Sequence, residues 1–315
     1  MNNALETREL GRTGLQVTAV CVGTSPMSMP GHYGYSVEPA RAVATVLAAF
    51  DGPINFLDTS NEYGGGASER LIGQAIRDRG GLPPGFVLAT KVDPDPHSRD
   101  FSGRRVVASV EESLERLGLD HLALLHFHDP ERIGFEEAMA PGGAVEALVQ
   151  LRDQGVVDHI GVAGGPIDLL TRYVRTDIFD VVLTHNRYSL LDRSADPLLD
   201  VATVHGVGVI NAAPYGGGML VKGPEARPRY AYGLGDGSLA ETARRMSAVC
   251  DRYRVPLAAA ALQFSIHEPR IHSTVVGVSA PERIGETLDL LDAAIPDELW
   301  DQLRELAPPP ALWIG

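Results

Sequence analysis

The sequence has little positive charge, few aromatic residues and almost no cysteine. Its 27 lysines and arginines are outnumbered by 41 aspartates and glutamates, which gives a net charge of −14. Such a surface repels nucleic acid and anionic membranes, so we expect neither as a partner, and an anionic ligand needs locally placed donors. The only cysteines, Cys21 and Cys250, lie far apart in the chain, which favours a reducing compartment over a disulfide framework.

Long apolar runs and targeting signals are also missing. No run approaches the roughly 20 residues of a membrane span, and residues 1–6 do not resemble a signal peptide. We therefore expect a cytoplasmic protein, either a monomer or a small homo-oligomer, that acts on a small molecule. No linker, charge block or low-complexity tract divides the chain, so residues 1–315 are expected to form a single domain.

The sequence does contain a regular alternation of strand-like and helix-like segments. A hairpin with a glycine-bearing turn is predicted at 9–17, and apolar runs typical of buried strands follow at 18–22, 54–57, 86–89, 122–127, 159–162, 180–183, 207–211 and 273–276. Amphipathic segments of helical length lie between them, for example at 40–50, 104–117, 145–154 and 238–253. This pattern predicts an α/β fold, a (β/α)8 TIM barrel with an N-terminal β-hairpin. Ser68 and Pro281 are predicted to begin two helices, as N-cap and as first residue.

Titratable side chains follow several of the predicted strands, at the barrel face where such folds carry their chemistry. Asp58 ends the second strand, and Tyr63 lies five residues later in the loop that leads to a helix. Lys91 ends the third, and His126 and His128 share the interior face of the fourth. A solvated loop is the alternative for Asp58 and Tyr63 alone, and a single interior histidine is often only a core group. An Asp, a Tyr, a Lys and a His at one rim are harder to explain in that way.

Four of these side chains have the chemistry of proton transfer. The phenol of Tyr63 has an ordinary pKa of about 10, and we expect the Lys91 ammonium, held in place by Asp58, to lower it. His128 can hydrogen-bond the reacting oxygen or relay its proton. The set lacks a nucleophile and a metal cage, so it suits hydride transfer between a carbonyl carbon and a nicotinamide cofactor.

Several separated motifs resemble the aldo-keto reductase family. They are the block from Asp58 through Tyr63-Gly64 and Ser68-Glu69-Arg70 to Gly73, the pair Thr90-Lys91, and the run Leu117-Gly118-Leu119-Asp120 that leads to His128. The order of strands and helices is similar from end to end. The resemblance implies an NAD(P)-dependent oxidoreductase with a catalytic tetrad of Asp58, Tyr63, Lys91 and His128 and no metal. His126 is then expected one layer deeper in the barrel.

Four further segments, 125–130, 187–191, 211–215 and 255–264, are most similar to family members that oxidise aldoses of the L-fucose or D-threo type, and to pyridoxal 4-dehydrogenase. The resemblance implies oxidation of a cyclic hemiacetal at C1 to a lactone, in which the anomeric hydroxyl gives its proton to Tyr63. Pyridoxal 4-dehydrogenase activity and general aldehyde reduction are the alternatives.

Departures from the family pattern concern the cofactor. A Ser-Asn pair is replaced by Ala163-Gly164, a glutamine by His185 with Asn186 as a substitute, and a stacking aromatic residue by Ala212. We therefore expect backbone donors of the 216–218 loop to bind the cofactor, unless that loop is only a flexible turn. The residues expected at the cofactor are Thr24, Ser25, His185, Asn186, Pro214, Tyr215, Gly216, Gly218, Leu220, Gly277, Val278, Arg283 and Thr287.

The choice between the two nicotinamide cofactors depends on the end of the eighth strand. Members that prefer NADP place Lys and Ser there beside an Arg, whereas this sequence has Gly277 and Val278 and keeps only Arg283. A lone Arg can contact the adenine or a 2′-phosphate. We therefore expect NAD as the cofactor, with NADP as the alternative.

Two other functions compete with this interpretation. The His126-Phe127-His128 motif, with His185, has the spacing of a metal-dependent barrel hydrolase, which needs several ligands that converge on one ion. A non-catalytic subunit that only binds the cofactor is the second competitor, since fold alone does not determine function.

Overall fold

The computed structural model describes Leu5 and residues 7–315; the other N-terminal residues, on which the signal-peptide expectation rests, lie outside the described part. The strands are β1 Thr7–Glu9, β2 Gln16–Thr18, β3 Val20–Gly23, β4 Phe56–Asp58, β5 Val87–Val92, β6 Leu122–His128, β7 Val157–Gly164, β8 Val181–His185, β9 Gly208–Ala212 and β10 Ser273–Gly277. β1 and β2 form an antiparallel hairpin, and β3 to β10 form a closed parallel barrel in chain order. The predicted TIM barrel with an N-terminal hairpin is confirmed.

The helices are α1 Ser25–Ser28, α2 Pro39–Asp51, α3 Ala67–Arg79, α4 Gly103–Leu117, α5 Phe135–Met139, α6 Ala144–Asp153, α7 Ile167–Val174, α8 Asp196–Val204, α9 Met219–Lys222, α10 Leu239–Tyr253, α11 Leu257–Ile266, α12 Glu282–Asp292 and α13 Asp297–Glu305. Short 3₁₀ turns lie at Pro130–Arg132, Tyr230–Gly233 and Pro310–Leu312. The four helices predicted from amphipathic patterns agree with α2, α4, α6 and α10 to within one residue at each end. Among the described residues, no helix is long and apolar enough to cross a membrane.

Two predicted helix starts differ from the structure. Gly66, with φ of 81°, precedes α3, so Ser68 lies inside the helix and is not its N-cap. The Ser68 hydroxyl instead donates to Thr24 Oγ1 at 2.8 Å and accepts from Thr59 Oγ1 at 2.9 Å. Pro281 precedes α12 and is its N-cap, one residue from the predicted position.

Inside the barrel, apolar side chains fill the lower end, next to the hairpin, and polar side chains lie at the upper end, where the parallel strands have their carboxyl ends. The hairpin closes the lower end, where Leu10 packs so closely on Gly208 that a Cβ there would lie 2.9 Å from Leu10. Above it, buried side chains such as Phe56 and Leu124 fill the barrel. A larger apolar layer lies between the strands and the surrounding helices. The apolar filling ends at the carboxyl ends of β4, β5 and β6, so polar side chains there are held on a packed floor.

Candidate active site

Strand register brings the predicted catalytic side chains to one rim. Asp58 is the last residue of β4, Lys91 is the fifth residue of β5, and His128 is the last residue of β6. Lys91 pairs with His126 across the β5–β6 ladder. Because side chains alternate along a strand, His128 projects inward one layer above His126. Three of the four predicted catalytic residues are therefore placed by neighbouring strand ends.

Lys91 and Asp58 form a buried ion pair. Lys91 is 1% exposed and Asp58 is 4% exposed. The ammonium lies 2.8 and 2.6 Å from the two Asp58 carboxylate oxygens and donates to the Thr59 carbonyl at 2.6 Å. Removal of Asp58 would leave the buried ammonium without its counter-charge, which costs about 3–5 kcal/mol in comparable sites. Asp58 therefore provides the counter-charge of the Lys91 ammonium and fixes its position.

Tyr63 is carried by the turn between β4 and α3. That turn requires glycine at Gly64, where φ is 62° and a Cβ would lie 2.1 Å from the Ser28 carbonyl oxygen. The Lys91 ammonium lies 5.0 Å from the centre of the Tyr63 ring. Tyr63 lines the cleft described below, so its phenol faces the space that a substrate would enter.

The pKa of Tyr63 is raised well above its ordinary value, first because the surrounding walls desolvate the phenol and then because Asp58 and other carboxylates disfavour the phenolate. The charge of Lys91 is balanced by its two bonds to Asp58 and does not offset these effects. The expectation that Lys91 lowers the pKa of Tyr63 is therefore wrong for the polypeptide alone. In this environment Tyr63 is a protonated phenol, which can donate its proton and is a poor acceptor at neutral pH.

His128 is held by a carboxylate that the sequence interpretation missed. Its Nδ1 lies 2.6 Å from Asp93 Oδ1 and 3.2 Å from Ser60 Oγ, and its ring packs edge-on against Tyr63 with centres 5.9 Å apart. Burial opposes protonation, but the charges of Asp93 and Asp129 prevail and raise the pKa of His128. Asp93 lies two residues after Lys91, so strand alternation was the signal that could have found it.

His126 has a different environment. Both of its ring nitrogens are buried and have no hydrogen-bond partner among the described residues. Gly161, opposite it on β7, provides the space, since a Cβ there would lie 2.3 Å from Nδ1. Burial and then the charges of Lys91 and His128 hold its pKa well below the usual value. His126 is a neutral packing group one layer below the rim, as the sequence predicts.

The described residues contain one group with metal-ligand spacing, formed by Glu62, Asp93 and His128. His126 does not belong to it, which removes half of the proposed H-x-H ligand pair. A cation is already present, because the Arg132 guanidinium lies 2.5 Å from Glu62 Oε2 and 3.8 Å from Asp93 Oδ1. The geometry therefore does not support a metal hydrolase built on His126 and His128.

A cleft of about 840 Å³ extends from these side chains across the top of the barrel. Its walls include all four predicted catalytic residues and eight of the predicted cofactor residues, which are Thr24, Ser25, His185, Asn186, Pro214, Tyr215, Gly218 and Gly277. Such a volume suits a small-molecule ligand.

Five other predicted cofactor residues do not line this cleft, namely Gly216, Leu220, Val278, Arg283 and Thr287. Leu220 and Val278 are 1% and 2% exposed and belong to the apolar core. The Thr287 hydroxyl donates to the Arg283 carbonyl at 2.8 Å within α12. Arg283 itself is exposed and paired with Glu286, and Gly216 packs against the ring of Tyr230.

The cleft offers groups that fit a nicotinamide carboxamide. Asn186 is 1% exposed, has φ of 60° and leaves its side-chain oxygen without a partner among the described residues. Its amide nitrogen lies 3.1 Å from His185 Nδ1. Burial, together with the positive charge of Arg187, lowers the pKa of His185 to about 4, so this ring is neutral at physiological pH. A free buried acceptor beside a neutral imidazole suits an amide ligand.

The chain has only two lysines, Lys91 and Lys222, and both line the cleft. Lys222 lies 5.2 Å from the centre of the Tyr35 ring, and nearby Arg227 donates to the Tyr33 carbonyl. Partial burial and the charges of Arg227 and Arg283 lower the pKa of Lys222. Within the described part of the chain, neither Lys222 nor Arg227 forms an ion pair with a carboxylate. Two converging, unneutralised cations fit an anionic group such as a dinucleotide phosphate.

The chain is similar to known proteins along most of its length. The profile of the Aldo/keto reductase family matches residues 19–308. D-threo-aldose 1-dehydrogenase from Pseudomonas sp is 32% identical over 93% of this chain and 94% of its own length. Pyridoxal 4-dehydrogenase from Microbacterium luteolum is 30% identical over 96% and 97%, and L-galactose dehydrogenase from Arabidopsis thaliana is 34% identical over 90% and 87%. A solved aldo-keto reductase from Bacillus halodurans, in its holo form, superimposes with a TM-score of 0.78 at 22% identity over 96% of both chains, which supports the barrel fold.

Proposed function

Because the chain belongs to the aldo/keto reductase family, we propose that it is an NAD-dependent dehydrogenase that oxidises a small aldose at C1 to a lactone. The observation that carries the proposal is the buried Lys91–Asp58 pair beside Tyr63 and His128 at the wall of one cleft. Two relatives at 32% and 34% identity are named as aldose dehydrogenases, which supports the L-fucose or D-threo type of substrate.

Each of the four side chains has a separate task in this reaction. His128 Nε2, the ring nitrogen that Asp93 leaves free, contacts the anomeric oxygen and orients it. Tyr63, in its phenolate form, accepts the proton of the anomeric hydroxyl. Lys91, fixed by Asp58, provides a positive charge near this phenolate before the proton is transferred. When bound, the nicotinamide supplies the acceptor for the C1 hydride.

Cofactor binding is assigned to the other wall of the cleft. Asn186 and His185 bind the carboxamide, and Lys222 and Arg227 bind phosphate oxygens, because these groups have unused hydrogen-bonding capacity or unbalanced charge. Gly277 and Val278 offer no side-chain donor to a 2′-phosphate, which supports NAD over NADP.

Substrate hydroxyls have acceptors at the rim. Arg132 lies 2.5 Å from Glu62 Oε2 and 2.8 Å from Asp129 Oδ2. Since a carboxylate accepts about four hydrogen bonds, Glu62 and Asp129 keep acceptor sites after pairing with Arg132. Such a rim suits a neutral polyhydroxylated substrate.

The test is to assay the protein on a panel of substrates, once with NAD and once with NADP. Turnover is monitored through the near-ultraviolet absorbance of the reduced nicotinamide. The panel contains L-fucose, L-galactose, a D-threo-aldose, pyridoxal and a simple aldehyde. The Tyr63→Phe variant, assayed in the same way, gives the background rate for each substrate. We expect lactone formation from an aldose with NAD. Turnover of pyridoxal alone would contradict aldose oxidation and would favour pyridoxal 4-dehydrogenase activity, for which the Microbacterium luteolum relative is named. Cofactor binding without turnover on any member would favour the non-catalytic subunit.

A further inference from the structure

Asp93 is held by hydrogen bonds with several neighbouring elements. It is fully buried, accepts a hydrogen bond from Ser60 Oγ and accepts another from the Glu62 backbone at 2.9 Å. Its own backbone nitrogen donates to Ser109 Oγ at 3.2 Å, and its carbonyl accepts from Arg105 Nε at 3.1 Å. The carboxylate is therefore fixed from both the barrel side and the α4 side.

This fixed carboxylate determines which nitrogen of His128 carries a proton. An ionised carboxylate can only accept hydrogen bonds, so the 2.6 Å contact requires His128 Nδ1 to donate. The pKa of Asp93 lies well below its ordinary value, since the charge and hydrogen bond of His128 and the bonds from Ser60 and Glu62 outweigh its burial. Asp93 thus stays ionised at neutral pH, and Nε2 is the nitrogen left for the cleft.

Resting on the function proposed above, we propose that Asp93 is a positioning residue that acts through His128. Its carboxylate fixes the imidazole with Nδ1 protonated and with Nε2 directed at the substrate oxygen, and it stabilises the imidazolium when Nε2 is protonated as well. Without this contact the neutral ring can adopt the other tautomer or rotate about its side-chain bond, because the Ser60 hydroxyl at 3.2 Å can either donate or accept.

Several other charged or titratable groups surround His128 and contribute to its protonation. They are Asp129 and Arg132 after β6, Glu62 and Tyr63 before α3, Asp58 on β4, Lys91 on β5, His126 on β6 and His185 on β8. Asp129 lies 3.7 Å from Nε2 and also favours the imidazolium. The charged group that contacts Nδ1 is Asp93. Removal of its charge should therefore change both the tautomer and the protonation of His128.

The first test needs no substrate. Nitrogen NMR of the protein labelled at histidine, with the His128 signals assigned by their loss in His128→Gln, reports the tautomer and the midpoint of protonation. In the unmodified protein we expect the Nδ1–H form and a midpoint above the usual value of about 6.5. In Asp93→Asn the midpoint should move to lower pH, whereas Asp95→Asn, the same substitution in a partly exposed carboxylate that accepts hydrogen bonds from the His97 and Ser98 backbone, should leave it unchanged.

The second test uses the pH dependence of turnover. We expect Asp93→Asn to lower kcat by about tenfold to a hundredfold with little change in KM, as for other residues that orient a reacting group, and to move the His128 limb of the pH profile in the same direction as the NMR midpoint. A purely structural role would lower kcat at all pH values without moving that limb.

The outcomes separate the two proposals. A protonated Nε2 with a bare Nδ1 in the unmodified protein would overturn the role of Asp93, even if the variant fails to fold. An unchanged midpoint and limb in a folded Asp93→Asn would overturn it as well. Absence of aldose turnover in the unmodified protein contradicts the proposed function, but the NMR result on Asp93 stands independently of it.

Discussion

The two walls of the cleft carry charge in different ways. Near His128 the carboxylates of Asp58, Glu62, Asp93 and Asp129 outnumber the cations Lys91 and Arg132, and each of these cations is paired with a carboxylate. Near α9, Lys222 and Arg227 face the cleft without a carboxylate partner in the part of the chain that the structure describes. The cations of the first wall are therefore paired with carboxylates, and those of the second wall are available to bind an anion.

This difference supports the proposal that a protein of net charge −14 binds an anionic cofactor through locally placed cations. A general positive field is unavailable, so the cations are placed locally and left unpaired on one wall only. On the opposite wall, pairing keeps Lys91 and Arg132 from attracting anions into the region that holds the reacting carbon. The contrast supports the proposed binding of phosphate at the α9 wall and of a neutral substrate at the His128 wall.

Tyr63→Phe tests the His128 wall with the largest expected effect. The substitution removes the phenolic oxygen that exchanges the proton and leaves the ring in place, so turnover should fall by about a hundredfold to ten-thousandfold. Cofactor affinity, measured by fluorescence titration, should change little because Tyr63 does not belong to the α9 wall. Near-normal turnover in this variant would remove Tyr63 from the mechanism.

The pH dependence of the two reaction directions tests the same wall. The pKa of Tyr63 is raised, so the phenolate that accepts the proton in oxidation is scarce at neutral pH. Its population grows about tenfold for each pH unit until the pKa is reached. We expect kcat/KM for oxidation to rise through the neutral and alkaline range, whereas reduction, which uses the phenol, should not. The profiles are measured at constant ionic strength, and a plateau of oxidation at neutral pH would show that Tyr63 is acidified.

Lys222→Gln tests the opposite wall. Loss of one charge-assisted contact to a phosphate should weaken cofactor binding by about tenfold, with turnover at saturating cofactor nearly unchanged. Arg229→Gln, a charge removed from an exposed neighbour that does not line the cleft, serves as the control. Equal affinity for the cofactor in Lys222→Gln and the unmodified protein would contradict the assignment of phosphate to this wall.

The rim residues were predictable from sequence for a simple physical reason. Asp58, Lys91 and His128 end or nearly end apolar strands, and parallel strands deliver their carboxyl ends to one face. The position of His128 at the strand end also separated it from His126, which lies deeper on the same face. These inferences need only local patterns and the number of strands.

Pairings between different strands were not predictable in this way. The contact of Asp93 with His128 and the saturation of Lys91 by Asp58 and the Thr59 carbonyl depend on distances of a few ångströms across the barrel. For that reason the direction of the Tyr63 pKa was predicted wrongly. Leu220 and Val278 show the same limit, because the direction in which a residue faces after a strand or glycine turn depends on backbone angles that the sequence does not specify.

The smallest expected effect concerns substrate charge. Glu62 contributes one negative charge at the His128 wall, and a unit charge about 4 Å away in water is worth about 1 kcal/mol, or about fivefold in affinity. Glu62→Gln should therefore raise kcat/KM for a phosphorylated aldose relative to the neutral aldose by a few-fold, and the gain should shrink as salt is added. Glu136→Gln, which removes an exposed charge paired with Arg172, is the control. If the unmodified protein already preferred the phosphorylated sugar, Arg132 would have to exchange Glu62 and Asp129 for the substrate, and the pairing of cations on this wall would not exclude anions.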